Sequence, residues 1–368
     1  MRVLAMMKYG RVAASTRQRL LQYLPDLARE GITVDVQPLL DDDYLRRYAK
    51  GQSQPRMAVA RAYARRLRQL LTRSDHDALW VQYELFPYLP GLFERLSGLF
   101  GKPIIVDFDD ATFHMYDHHR RALVRTLLGT KLAPLLGRAS LCICGNTYLQ
   151  AYAQRYCPNS IVIPTVVDTD EYRPVAKQGG RRAPIVGWIG SPSTWRYVAP
   201  LLPTLLPVLA RHGARFRAVG AGPAADGIAG VENVAWTEEG EVREVQNMDI
   251  GIMPVPDEPW ERGKCGYKLI QYMACGHPVV GSPVGVNAEI VTDGEHGFLA
   301  RDEDGWRHAL DTLLADPRLR RTMGDKGRAR AVERYSLQSQ FPRLIAALHS
   351  AIRNAEADQA GRQPFASL

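Results

Sequence analysis

"GKCGYKLIQYMACGHPVV", residues 263–280, reads as a glycine-bearing loop, an apolar helix and a short apolar strand in close succession. Lys264, Lys268 and the uncharged Gln271 stand at the start of that helix, expected over 266–275, in otherwise core-like surroundings. A helix start gathers unpaired backbone N–H groups and the positive end of the helix dipole. Two lysines flanking Gly266 would complete an anion site there. The next strand, 278–281, opens into a second glycine-rich turn, "GSPVGVNAEIVTDGEHGFLA" (281–300). A diphosphate held between these two loops is expected to be neutralised by Lys264 or Lys268.

The same strand–helix succession extends through the chain. Apolar strands are expected at 2–6, 33–37, 78–82, 103–107, 140–144 and 160–163. A second series falls at 184–189, 214–219, 232–235, 249–253 and 278–281. Helical windows separate them at 16–30, 62–73, 90–99, 120–136, 146–155, 196–212, 240–247 and 266–275. Fully apolar strands alternating with helices imply parallel sheets covered on both faces. The polar, glycine- and proline-bearing segment "RPVAKQGGRRAP" (173–184) reads as a linker between the two series. A chain of 368 residues also exceeds one ordinary core. The expected organisation is α/β, with doubly wound domains over 1–173 and 174–336, a helix over 337–353 and a mobile tail over 354–368.

Composition, 46% apolar and 23% charged, is that of a soluble globular protein, and no apolar run reaches the ~18 residues of a membrane span. "MRVLAMM" (1–7) is too short for a secretory signal, so a cytoplasmic location is expected. Five cysteines form no CxxC pair, and their odd number argues against a disulfide framework; they read as small buried hydrophobes. The net charge of +8 is concentrated. Residues 46–73 carry nine Arg or Lys and no acid, and 118–138 are again basic without an acid, with Leu and Val at helical spacing. Such helices suit an anionic membrane surface, and equally a solvated basic face over a core-facing stripe. No aromatic-interleaved or repeated nucleic-acid motif accompanies them, so nucleic acid is not an expected partner.

Open α/β sheets bind ligands where strands run into helix starts. In "VGWIGSPSTWRYV" (186–198), Gly187 and Gly190 permit close backbone approach. Ser191, Ser193 and Thr194 offer capping hydroxyls, and Arg196 follows in the first turn. "VGAGPAADGIAG" (219–230) approximates a dinucleotide fingerprint at Gly220, Gly222 and Ala225, yet Pro223 and Gly227 would disturb the receiving helix, so it reads as a tight turn. "IIVDFDDATFHMYDHH" (104–119) gathers carboxylates and histidines. Either Asp107 and Asp109 hold a divalent metal, or Asp109 orients an acceptor hydroxyl. Arg17, in "KYGRVAASTRQRL" (8–20), and Glu84, in "WVQYELFPYLP" (80–90), end the same way, after strands. There is no Ser–His–Asp elbow, Walker loop or HExxH.

"MPVPDEPWERGKCGYKLIQYMACGHPVVGSPVGVNAEIVTDGEHGFLA" (253–300), with "VIPTVVDTDEYRP" (162–174), "GWIGSPST" (187–194) and "LLADPRLRRTMGDKGRARAVERYS" (313–336), resembles the nucleotide-sugar half of a family 4 retaining glycosyltransferase. The resemblance implies the GT-B fold: two facing Rossmann-like, doubly wound parallel-sheet domains, with the last helix crossing back to the first. It implies transfer from a nucleotide diphosphate sugar to a saccharide or lipid-linked hydroxyl acceptor, with retention and without a metal or other cofactor. The setting it implies is cell-surface glycan or glycolipid synthesis.

In that family a Glu-x7-Glu element serves sugar and ribose; here its positions are Gly263 and Gln271, which marks a divergent branch. The Gln271 amide is then expected at the ribose, and the sugar contact from Lys264 or the backbone at Cys265 and Gly266. Trp188 and Ser193 or Thr194 occupy the family's Arg and Lys positions, leaving Lys264, Lys268 and Arg196 as the cations. Asp109 stands where the family often has a first-domain His. The expected catalytic groups are therefore Asp109, Lys264 and Lys268. Donor binding is expected from Gly190, Ser191, Ser193, Thr194, Arg196, Cys265, Gly266, Tyr267 and Gln271, and acceptor binding from Arg17, Glu84 and His114, with no metal. Peripheral association with the inner membrane face is a further expectation. Two alternatives stay open: a sugar-nucleotide epimerase of the same fold, and a membrane-surface or polyanion-binding protein acting through its basic helices.

Overall fold

The computed structural model describes residues 1–49, 51–72, 75–176 and 182–361. Residues 177–181 of the expected linker, 362–368 of the expected tail, and Lys50 and Arg73 of the first basic segment lie outside these. The chain forms two compact units, Met1–Thr165 together with the chain from Gln340 onward, and Val166–Ser339.

The first unit is a six-stranded sheet in the order β2-β1-β3-β4-β5-β6. Its strands are β1 (Arg2–Tyr9), β2 (Thr33–Leu40), β3 (Ala78–Gln82), β4 (Ile104–Phe108), β5 (Leu141–Cys144) and β6 (Ser160–Val162). The second sheet runs β12-β11-β10-β7-β8-β9. It comprises β7 (Ile185–Ile189), β8 (Arg215–Val219), β9 (Val231–Val234), β10 (Ile250–Met253), β11 (Val279–Gly281) and β12 (Gly297–Leu299). All pairings are parallel. A parallel strand needs a crossover, and the crossovers supply the helices that bury both faces. Burial follows position: β3, β4, β5, β7, β10 and β11 are buried at every residue, whereas the edge strands β2 and β9 are mostly half-buried. All five cysteines are buried thiols.

Every strand read from the sequence is present within a few residues, and β12 is additional. Helices differ more. Window 16–30 breaks into Ala14–Arg19, a 3-10 turn Leu21–Tyr23 and Leu24–Arg29, with a proline opening the last piece. Window 120–136 divides into Ala122–Leu128 and Ala133–Leu136. Asp42–Ala49, Glu303–Ala315 and Pro317–Tyr335 fall outside the expected windows. The final helix, Leu337–Gly361, outruns its expected end at 353. Its later part belongs to the first unit, where Phe341 stacks on Tyr23 and Arg343 donates to the Val162 carbonyl at 3.0 Å.

In each sheet the connections leave in opposite directions from one adjacent pair of strands: β1 and β3 in the first, β7 and β10 in the second. Such switch points open a crevice at the carboxyl ends of the two strands, where ligands settle in folds of this kind.

Candidate functional site

Beyond β10 the chain forms a one-turn helix, Pro259–Arg262, then a loop, then helix Tyr267–Ala274. Gly266 caps that helix with φ +64°, and a Cβ there would lie 2.2 Å from Ile290 Cδ1 and 3.2 Å from Asn287 Oδ1. Only glycine permits both the left-handed backbone and that approach. At Gly285, φ +54°, a Cβ would meet the Arg262 carbonyl at 2.6 Å. The two glycine-rich loops singled out in the sequence are thus packed directly on one another. The helix is tied to the sheet by Tyr272, whose hydroxyl accepts from Ile189 N at 3.0 Å and donates to the Ile252 carbonyl at 3.3 Å. This bond straddles the β7–β10 switch point.

Lys264 and Lys268 are both half-buried at this helix start. The Lys264 ammonium lies 6.0 Å from the Trp260 ring centre, and that of Lys268 6.0 Å from Trp188. Trp188 itself is enclosed against Trp195. Cys265 is buried and Tyr267 half-buried beside them. Beyond β7, a Cβ on Gly190 would strike the Trp188 ring at 2.4 Å. Ser191 and Thr194 form a capping box over the turn Pro192–Trp195, and Ser193 Oγ meets Ser191 Oγ at 2.9 Å. Arg196 is exposed, donating to Tyr197 OH at 2.8 Å. That hydroxyl in turn donates to the buried Glu261.

Gln271 is placed differently from the expectation. It is buried, and its amide donates to Tyr172 OH at 3.0 Å and to Glu241 Oε1 at 2.7 Å. Glu241 also accepts from Tyr172 OH at 2.7 Å and from Trp236 Nε1 at 2.8 Å. The amide hydrogens of Gln271 therefore serve an internal polar network. Glu241, Tyr172 and Trp236, from distant stretches, gave no sequence signal of converging there.

In the first unit, Asp107 is spent on a bidentate ion pair with Arg19, at 2.8 and 3.0 Å, and Arg19 also donates to the Ile163 carbonyl. That pairing removes Asp107 from the metal-binding alternative. Asp109 instead accepts a hydrogen bond from Tyr83 OH. Burial pushes its carboxyl up to about 7, against the pull of Arg19. Tyr83 has φ +62°, a conformation costly for an aromatic residue and concentrated at functional sites. Sequence reasoning missed Tyr83, because no local pattern announces a left-handed tyrosine.

Glu84 does not face an open site. It is fully buried, held by Lys8 at 3.1 Å, Lys131 at 2.5 Å and Tyr116 OH at 2.8 Å. Burial raises its pKa, but the two ammonium groups prevail and hold it below the usual range. Arg17 is also buried and donates to the Arg11 and Val12 carbonyls, both at 2.9 Å. The His114 ring lies between Asp117, at 2.7 Å, and Tyr148 OH, at 2.8 Å. His114, Asp117 and His118 bring three ligand-type atoms within 4.8 Å of one another, and within this group His114 Nδ1 and Asp117 Oδ1 are hydrogen-bonded to each other.

Residues 183–316 match the family model described as Glycosyl transferases group 1. Over 92 residues the chain is 40% identical to the MMP alpha-(1->4)-mannosyltransferase of Mycolicibacterium hassiacum, covering 24% of this chain and 22% of that protein. Over 77 residues it is 34% identical to the N-acetyl-alpha-D-glucosaminyl L-malate synthase of Bacillus anthracis, 20% of each. The chain thus spans about a fifth of the length of the curated relatives it matches. Among solved structures it is similar to Anabaena HepE in complex with UDP-glucose (TM-score 0.70, 16% identity, 95% of this chain and 100% of that one). It is similar also to a sucrose-phosphate synthase of Thermosynechococcus elongatus (TM-score 0.69, 18% identity, 95% and 100%). The fold is that of the GT-B glycosyltransferases, and the family likeness falls on residues 183–316.

Proposed function

We propose that the chain is a retaining, family 4-type glycosyltransferase that moves a sugar from a nucleoside diphosphate sugar to a hydroxyl acceptor. The acceptor is a saccharide or lipid-linked glycan, and the setting is cytoplasmic synthesis of cell-surface glycans. The observation that carries this reading is the left-handed Gly266 helix start, with Lys264 and Lys268 on either side, at the switch point of a glycosyl transferases group 1 domain. As the glycosidic bond breaks, the leaving diphosphate gains negative charge. Fixed ammonium groups stabilise that charge more in the transition state than in the bound ground state. The acceptor hydroxyl attacks from the face the phosphate leaves, so no protein nucleophile is assigned, and the lysines supply the positive charge without a metal.

A melting-temperature screen against UDP, GDP, ADP and their sugars tests the reading. A ligand at a hundred times its Kd stabilises by about 2.7 kcal/mol, a rise of roughly 5–10 °C. UDP-glucose is the first donor to try, given the HepE complex. No rise with any of them would reject the proposal.

Asp109 is assigned to the acceptor hydroxyl, as the base that orients it. With its carboxyl at about 7, turnover should fall roughly tenfold from pH 8 to pH 6, and Asp109→Asn should be slow and flat across that range. The folded carboxyl keeps its proton to a higher pH than the unfolded one. Its contribution to stability is therefore present at acid pH and lost as pH rises from about 4 through 7. The variant should accordingly lose less stability than the native protein over that interval.

A further inference from the structure

In the first sheet β4 and β5 lie side by side, and the segments that leave their carboxyl ends meet. Beyond β4 the one-turn helix His114–Asp117 runs into His118. Beyond β5 the helix Thr147–Gln154 starts at Asn146, whose side chain accepts from Leu149 N at 2.9 Å. Its first turn places the Tyr148 hydroxyl 2.8 Å from His114 Nε2. Phe113 stacks on Tyr152 of the same helix with ring centres 3.6 Å apart, and the His114 ring lies edge-on to Phe113 at 4.4 Å. His114 is thereby fixed between two elements, its side chain only 8% exposed.

An ion pair between His114 and Asp117 accounts for two of the side chains gathered here, but not for His118. Positions 114, 117 and 118 stand in the i, i+3, i+4 relation that brings side chains to one face of a helical turn. The His118 ring centre lies 4.3 Å from that of His114, and one ligand-type atom from each of the three residues falls within 4.8 Å of the others. The His118 ring is exposed and makes no hydrogen bond among the described residues. Two imidazoles beside one carboxylate form the donor set of a divalent transition metal, whereas magnesium and calcium take oxygen ligands. Histidine ligands commonly hold their second ring nitrogen to a polar group, which fixes the tautomer. Tyr148 stands in that place: with the hydrogen on Nε2, the Nδ1 lone pair of His114 points toward Asp117, 2.7 Å away. Ligands about 2 Å from zinc stand roughly 3.3 Å apart in a tetrahedral site, and rotation of the exposed His118 side chain closes the remaining span.

We infer that His114 Nδ1, the Asp117 carboxylate and the His118 ring bind one zinc ion, with water at the fourth position. The inference does not rest on the transfer reaction, in which no metal takes part. Calorimetric titration of the metal-free full chain with zinc chloride tests it, with magnesium chloride as the comparison. One equivalent of zinc should bind, and magnesium should not. His118→Ala and Asp117→Asn should each weaken zinc binding about a hundredfold, and Tyr148→Phe, which removes the group that fixes the tautomer, roughly tenfold. Cobalt(II) bound in place of zinc should show the visible d–d bands of a four-coordinate ion, and His118→Ala should lose them. Without metal, His118→Ala should melt like the native chain, since its ring is exposed. Failure of the native chain to bind zinc, or equal binding of magnesium, would overturn the inference. So would zinc binding that His118→Ala leaves within threefold of native, which would put the ion elsewhere.

Discussion

Lys264→Ala is expected to lower turnover by roughly a hundredfold to a thousandfold while donor affinity changes only severalfold. Lys264 stands half-buried two residues before the helix-capping Gly266. An ammonium there interacts weakly with a diphosphate whose charge is still shared with the sugar, and more strongly as the bond breaks. Binding that grows along the reaction coordinate appears in kcat, whereas uniform binding appears in KM alone. Steady-state measurement of both constants separates the two. Lys268→Ala provides a comparison, since Lys268 lies against Trp188 on the other side of the cap. Native turnover in Lys264→Ala would remove this lysine from the mechanism.

The second large effect concerns stability. Lys131→Met should cost about 3–5 kcal/mol, lowering the melting temperature of the first unit by roughly 10 °C. Lys131 is enclosed, with its ammonium 2.5 Å from Glu84, 3.4 Å from Glu94 and 2.8 Å from the Phe86 carbonyl. Glu94 also accepts from the backbone N–H of Leu85 and Phe86, yet burial still raises its pKa. Methionine fills the volume but leaves Glu84 with the ammonium of Lys8 and strips Glu94 of its ammonium. Removing one partner of a buried network is costlier than never having built it. Adding Glu84→Gln should recover part of the loss. A melting temperature within a degree or two of the native value would contradict this account of the network.

The sheets were legible in the sequence because parallel strands are apolar along their whole length, as IVGWI and LCIC are, and four or five such residues between polar turns admit few other readings. The helix start at Gly266 was legible for the same kind of reason: glycine, flanking lysines and an apolar run are local signals. Long-range pairing was not. Glu84 ends β3 as Asp109 ends β4, and nothing nearby reveals that Lys131, forty-seven positions on, would enclose the first and leave the second to Tyr83. The basic count of 46–73 likewise concealed Arg66, which the fold turns inward to hold three strand and loop carbonyls together.

The contact between Gln271 and Glu241 limits what can be changed at either residue. A glutamate at 271 would place a second carboxylate within hydrogen-bond range of the first in a dry interior. One of the two would have to retain a proton. The neutral amide of Gln271 thus lets one carboxylate sit in this network, joining two chain segments thirty positions apart without adding a second charge.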